Sequence, residues 1–273
     1  MRVVILCAVA GPALGQSFEV ASVKPAPPPD SRTRSSMRGG PGTRDPGQIT
    51  YNNVTLSAMI QRAYDVRQFQ VAGPDWLGSL RYLIAAKVPV GATNEQFQAM
   101  LRNLLAERFH LELHHLTRQL EGFELVVARG GPKLKASAES AGQTVRPDAR
   151  PPTDAHGFPV LDHPGLAMME DIRGKAVIVF LTARAQTVST LVERLVNEFH
   201  VPILDRTGVV GNFDFHLQFA PQPPGALPVE APEESGPDLA TAVQQQLGLR
   251  LNAGKVPTDI LIIDRADQVP TGN

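Results

Sequence analysis

Residues 187–219, TVSTLVERLVNEFHVPILDRTGVVGNFDFHLQF, decide the fold class. Val188, Leu191, Val192, Leu195, Val196 and Phe199 recur at the 3.6-residue period, so residues 188–199 form an amphipathic helix behind Thr187. Val201-Pro202-Ile203-Leu204 is a short strand, and its proline places it at a sheet edge or a ladder gap. Asp205-Arg206-Thr207-Gly208 is turn chemistry: a side-chain acceptor, then a residue that tolerates positive φ. Phe213, Phe215, Leu217 and Phe219 alternate with polar residues, the signature of a half-buried strand. A helix followed by two strands cannot shield its own apolar faces. The rest of the chain must supply a sheet for helices to cover.

Working outward, the same unit recurs. Upstream, Ile49–Asn53 is a strand, and Leu56, Met59, Ile60, Ala63 and Tyr64 form a helical stripe. Phe69-Gln70-Val71 and Tyr82–Ala86 are strands. Asn94 is placed as the N-cap of a second helix with Phe97, Met100, Leu101, Leu104 and Leu105 on its buried face. His110–His114 alternates as a strand, and Glu121-Gly122 turns the chain into Phe123–Val127. Downstream of the quoted stretch, Leu239, Ala242, Val243 and Leu247 mark a last helix ending near Gly248. Leu249–Leu251 and Ile260–Ile263 are read as two further strands. Phe18–Val23 is the first strand of the chain and Val177–Phe180 precedes the third helix. The expected fold is α+β: two similar halves, each with two helices on one face of a mostly antiparallel sheet. The expected layout is a signal peptide at 1–15, a first half at 16–132, a linker at 133–174, and a second half at 175–273 with a disordered insert at 221–237.

The chain has 273 residues, 42% hydrophobic and 19% charged, which is globular composition. The formal net charge of -1 gives no global attraction for nucleic acid, and 5% aromatic residues give no base-stacking platform. The short positive start, the apolar Val3–Ala10 run and Ala13-Leu14-Gly15 before Gln16 fit a secretory signal peptide. Its removal takes away the single cysteine, Cys7, and with it disulfide and thiol chemistry. No other apolar run reaches membrane-spanning length.

Several stretches together carry a family resemblance. They are Phe18-Glu19-Val20-Ala21-Ser22-Val23-Lys24-Pro25, Asn53-Val54-Thr55-Leu56, Ala63-Tyr64, Gly73-Pro74-Asp75-Trp76-Leu77 and Leu104-Leu105-Ala106-Glu107-Arg108-Phe109. Gly131-Pro132-Lys133-Leu134, Asp205-Arg206-Thr207-Gly208, Phe213-Asp214-Phe215 and Gln246-Leu247-Gly248-Leu249 continue it. On these the chain resembles a soil-associated acidobacterial family of uncharacterised exported proteins. The resemblance implies export and carries no activity. Related domains occur behind zinc-metallopeptidase sensor-transducers, but this chain has no His-Glu-x-x-His. Each half is also similar in element order to the short N-terminal domain of secretins and TonB-dependent receptors. That implies protein contact in the envelope.

Candidate site residues are few. His110, Glu112 and His114 place two imidazoles and a carboxylate on one strand face, a set that binds zinc or another divalent metal. A solvated face opposite Leu111 and Leu113 has the same pattern. His200, Asp205 and Asp214 cluster in sequence, but no nucleophile matches them. Gly39-Gly40-Pro41-Gly42, in a loop with Arg32, Arg34, Arg38 and Arg44, offers an anion cradle or a solvated loop. Trp76 is a ligand-stacking anchor or a packing residue. Ser36 and Ser189 have no evident partners. The sequence thus favours a non-catalytic, sensor-type envelope module that binds a small ligand or another envelope protein, with no cofactor, no nucleic acid and no membrane span. A secreted hydrolase or metal-dependent enzyme and a structural envelope component are the alternatives.

Overall fold

Two threonines open the helices that start each repeat, and each follows the same backbone irregularity. In a computed structural model, residues 17–27, 34–138, 151–173, 176–221 and 236–272 are described. Residues 1–15, expected as a signal peptide, Arg32 and most of the insert expected at 221–237 lie outside them. Strand β1 (Val20–Pro25) is followed by β2 (Ser36–Gly39), β3 (Gln48–Thr55) and helix α1 (Leu56–Tyr64). Then come β4 (Val71–Ala72), β5 (Arg81–Lys87), α2 (Asn94–Phe109) and β6 (Glu112–Val127). The series repeats as β7 (Lys135–Ala136), β8 (Gly165–Arg173), β9 (Ala176–Gln186), α3 (Val188–Phe199), β10 (Ile203–Asp205), β11 (Phe213–Phe219), α4 (Leu239–Leu247) and β12 (Leu249–Arg265). The fold is α+β with mostly antiparallel sheets.

Thr55 caps α1 by accepting the Ala58 N–H, and Thr187 caps α3 by accepting the Thr190 N–H. Two residues before each cap the backbone turns left-handed, at Asn53 (φ 54°) and Ala185 (φ 52°). At both places the ladder slips register, so each is a bulge that ends the strand and aims the chain into its helix. Thr93, not Asn94, caps α2. It forms a reciprocal capping box with Gln96, and Asn94 is the first helical residue.

The chain forms two compact units, one of residues 1–117 with 259–273 and one of residues 118–258. In the first, the sheet order is β1-β5-β3-β2, and α1 and α2 bury Leu56, Met59, Ile60, Phe97, Leu101 and Phe109 in one core with it. In the second, the order is β7-β11-β9-β8, and α3 and α4 share a core with Leu181, Phe215, Leu217 and Phe219.

A strand exchange completes both units. Short β4 pairs in parallel with the end of β12, Val71 opposite Leu261. Short β10 pairs in parallel with the end of β6, Ile203 opposite Phe123. Each repeat's short strand therefore lies on the last strand of the other repeat.

Further features differ from the sequence expectation, and Phe69-Gln70, expected in a strand, lies in a 3₁₀ turn, Gln68–Gln70. Glu121-Gly122 is not a turn: β6 runs through it without interruption. Gly122 is there because β10 comes close. A Cβ on it would sit 2.2 Å from the Pro202 carbonyl oxygen, which accepts the Phe123 N–H at 3.0 Å. The segments 249–251 and 260–263 belong to one strand, β12. The segment expected as a linker at 133–174 contributes β7, β8 and an ordered turn at Thr153–Pro159. Among the described residues no helix is long and apolar enough to cross a membrane.

Candidate functional site

The central strand of the second unit's sheet, β9, is buried on both faces, and this sets up its cleft. Ile178, Val179, Phe180, Leu181, Thr182 and Ala183 are all buried. Val179, Leu181 and Ala183 share the core of α3 and α4, while Phe180 and Thr182 face the segment 151–164. Phe158 packs edge-on against Phe180 at 5.2 Å and tilts over the His216 ring at 4.8 Å. Arg184 Nη1 donates to the Leu161 carbonyl at 2.7 Å. Among the described residues the first unit has no such cover: Thr50 on β3 and Ala85 on β5, which pair across the ladder, are exposed.

Between this cover and β9, β11 and β7 lies a cleft of about 550 Å³. Its charged lining is Lys133, Lys135 and Arg184 with Asp154 and Asp214, and His216 lies beside them. Both carboxylates serve backbone amides. Asp214 accepts the N–H of Ala185 at 2.8 Å, holding the left-handed bulge, and Gln186 donates to the Arg184 and Ala185 carbonyls on its other side. An alanine in this conformation costs roughly 1–3 kcal/mol, which such contacts offset. Asp154 accepts the His156 and Phe158 N–H groups, each at 2.9 Å. The Phe158 amide, then that of His156 with its nearby charge, holds the Asp154 carboxyl below the ordinary carboxylate range. Thr182 Oγ1 and His216 Nδ1 lie 3.1 Å apart, on residues directly opposite in the β9–β11 ladder.

The Asp154 contacts give a pH prediction. A depressed folded-state pKa means that the turn's stabilisation is complete above the ordinary aspartate range and lost as pH falls through the lower folded value. A carbon-detected NMR titration should place the Asp154 midpoint below that of an unfolded aspartate. A midpoint at or above the ordinary value would mean the amide contacts are not made.

The residues singled out in sequence do not meet in one place. His110 is the left-handed C-cap of α2, not a strand residue, and its Nδ1 lies 2.7 Å from Asp267. His114 pairs with Asp264 at 2.9 Å, His115 with Asp259 at 2.8 Å, and Glu112 lies 3.9 Å from Arg265. Each metal-type side chain thus has its own partner across to β12 or the tail behind it. Among the described residues no three His, Cys, Asp or Glu side chains form a metal-holding group. His200 is the C-cap of α3, and Asp205 accepts the Thr207 N–H and hydroxyl in its turn. These belong to different units from the histidines of α2 and β6.

Trp76 stands in a single 3₁₀ turn, Asp75–Gly78, half-buried against the first core. Arg34 and Arg38 are exposed, Arg38 on β2 opposite Thr50. The Gly39–Gly42 turn spends an amide internally: the Gly40 N–H donates to the Asp45 and Gln48 carbonyls. Ser36 lies on β2, and Ser189 is exposed in the first turn of α3. Of the residues singled out in sequence, only Asp214 lines the cleft.

The family model described as "Protein of unknown function (DUF3738)" matches residues 57–266, more than half of the chain. The chain belongs to the DUF3738 family. The match runs from the second residue of α1 to just past β12, so it takes in the bulged junction before α3, while Asn53 and Thr55 of the junction before α1 lie just ahead of it. The whole cleft lies inside the DUF3738 match. No curated protein and no solved structure matches this DUF3738 chain.

Proposed function

We propose that this chain is an exported, non-catalytic ligand-binding module of the cell envelope, and that the cleft of its second unit is the binding site. The observation that carries the reading is the use of the cleft's carboxylates. Asp154 and Asp214 each give a carboxylate oxygen to backbone amides, so on this reading their part is to shape the walls of the cleft. A volume of about 550 Å³ suits a small molecule. Apolar Val160 and Leu161 beside a few polar groups make the usual lining of such a site. Export rests on the sequence of residues 1–15 and on the resemblance to exported acidobacterial proteins.

The test is a protein-observed NMR screen of the full chain with fragments of all charge types. The Thr182, Arg184 and His216 amides should shift, and every fragment should be recovered chemically unchanged. A fragment converted to product, or shifts that avoid the cleft, would contradict the proposal. Export is checked separately by cell fractionation and intact mass. The chain should leave the cytoplasm with its N-terminus at Gln16; a cytoplasmic chain that keeps Met1 would refute it.

A further inference from the structure

One sheet edge in the second unit lacks the devices that keep edge strands apart. Strand β8 stands last in the order β7-β11-β9-β8. It pairs with β9 from Gly165 to Arg173, and no strand of the described residues lies on its outer side. Such an edge offers a row of N–H and C=O groups to any strand of matching length. The other sheet ends are blunted. β1 carries Lys24 and Pro25, and β2 has four residues, with Arg38 beside the left-handed Gly39. β4 and β7 have two residues each and β10 three, too few to seat another strand. Short length, lysine and proline are the usual protections. β8 has nine residues and none of these protections; it opens Gly-Leu-Ala-Met-Met, and its charges come only at Glu170, Asp171 and Arg173.

An apolar side chain on the same strand is left in water. Leu166 and Met168 pack on the second core. Ile172 follows them on the same face by strand alternation, yet it is 71% exposed.

We propose that β8 pairs antiparallel with β8 of a second copy of this chain, about a two-fold axis at Met169, joining two four-stranded sheets into one. The strand's own sequence selects this register. Pairing its full length with itself sets Met169 opposite Met169, and Leu166 opposite Ile172 on either side of the axis. Opposite residues share a face, so Leu166 of one copy covers Ile172 of the other. Glu170 falls opposite Met168, and Asp171 opposite Ala167, so no carboxylate meets another. Moving the axis one residue toward the hairpin tip sets Glu170 against Glu170, which repels. Moving it one residue back leaves Ile172 outside the paired strands, opposite Pro164. The contact uses the same patch on both copies, so it closes at a dimer and builds no filament. The cleft lining takes no residue from β8, so pairing and ligand binding are independent.

Sedimentation equilibrium of the full chain under reducing conditions, from about 1 μM to 1 mM, should show a monomer–dimer equilibrium and nothing larger. Ile172→Lys should raise the dissociation constant by about tenfold or more, because the two-fold doubles the loss of apolar cover. Ile172 is exposed in the single chain, so the dilute variant should melt as the parent does. In a Cys7→Ser background, Met169→Cys should form a disulfide between copies on oxidation, since facing residues of antiparallel strands stand within disulfide range. Ile172→Cys should not, because it lies about 20 Å along the strands from its mate. A chain that stays monomeric over the whole range, a dimer that Ile172→Lys leaves unchanged, or cross-linking by Ile172→Cys in place of Met169→Cys overturns the proposal.

Discussion

Ending the chain after Thr258 will unfold the first unit while leaving every residue of the second in place. The lost segment supplies Ile260, Leu261 and Ile263, all buried, and the ladder partner of β4. It also supplies the Gln268 carbonyl that accepts the Tyr82 hydroxyl at 2.7 Å, and the Asp267 N–H donated to the Phe109 carbonyl. Removing one such aliphatic side chain costs roughly 2–5 kcal/mol. Three together match the roughly 5–15 kcal/mol that holds a whole domain. Trp76, the single tryptophan, lies in the first unit and reports on it alone. The truncated chain should show red-shifted, iodide-quenched emission and lose one calorimetric transition. Native emission would mean that the tail is dispensable.

Phe97→Ala is the second large effect. Phe97 is fully buried in the first face-turn of α2 and ties three other elements to it. The Phe18 ring meets it edge-on at 5.9 Å, ahead of β1. The Arg62 guanidinium of α1 sits 5.4 Å from its centroid. Gly40 lies so close that an added Cβ would be 3.3 Å from the ring. The Gly40 turn, two helices and the segment ahead of β1 cannot all collapse into the cavity, so the loss should be about 3–5 kcal/mol. Urea unfolding followed at Trp76 measures it. A loss below about 1 kcal/mol would mean that the site relaxes freely.

The sequence made the helices and their order legible because periodic apolar stripes are local. Leu191 and Leu195 are buried together whatever lies beyond them. It hid the strand exchange because Val71-Ala72 is too short to show a pattern and its partner, Leu261, is distant in the chain. Gly122 misled for a related reason. Glycine marks turns and close approaches alike, and only the position of Pro202 tells which. The covered sheet did leave a trace: Val177-Ile178-Val179-Phe180 is apolar on both faces, as a strand buried on both sides must be. Its cover, rich in Pro and Gly, has linker composition, and so the cleft residues Lys135, Asp154, Thr182 and Arg184 drew no notice. Asp214 did, as a candidate acid, whereas it acts as a clamp on the bulge.

That each repeat needs the last strand of the other is tested most directly by producing residues 17–138 and 151–272 as separate polypeptides and following each, then their mixture, by calorimetry. Apart, neither should give a cooperative transition, since the first lacks the β12 partner of β4 and the second lacks the β6 partner of β10; mixed, they should regain one. Two fragments that each melt cooperatively alone, with nothing gained on mixing, would contradict it.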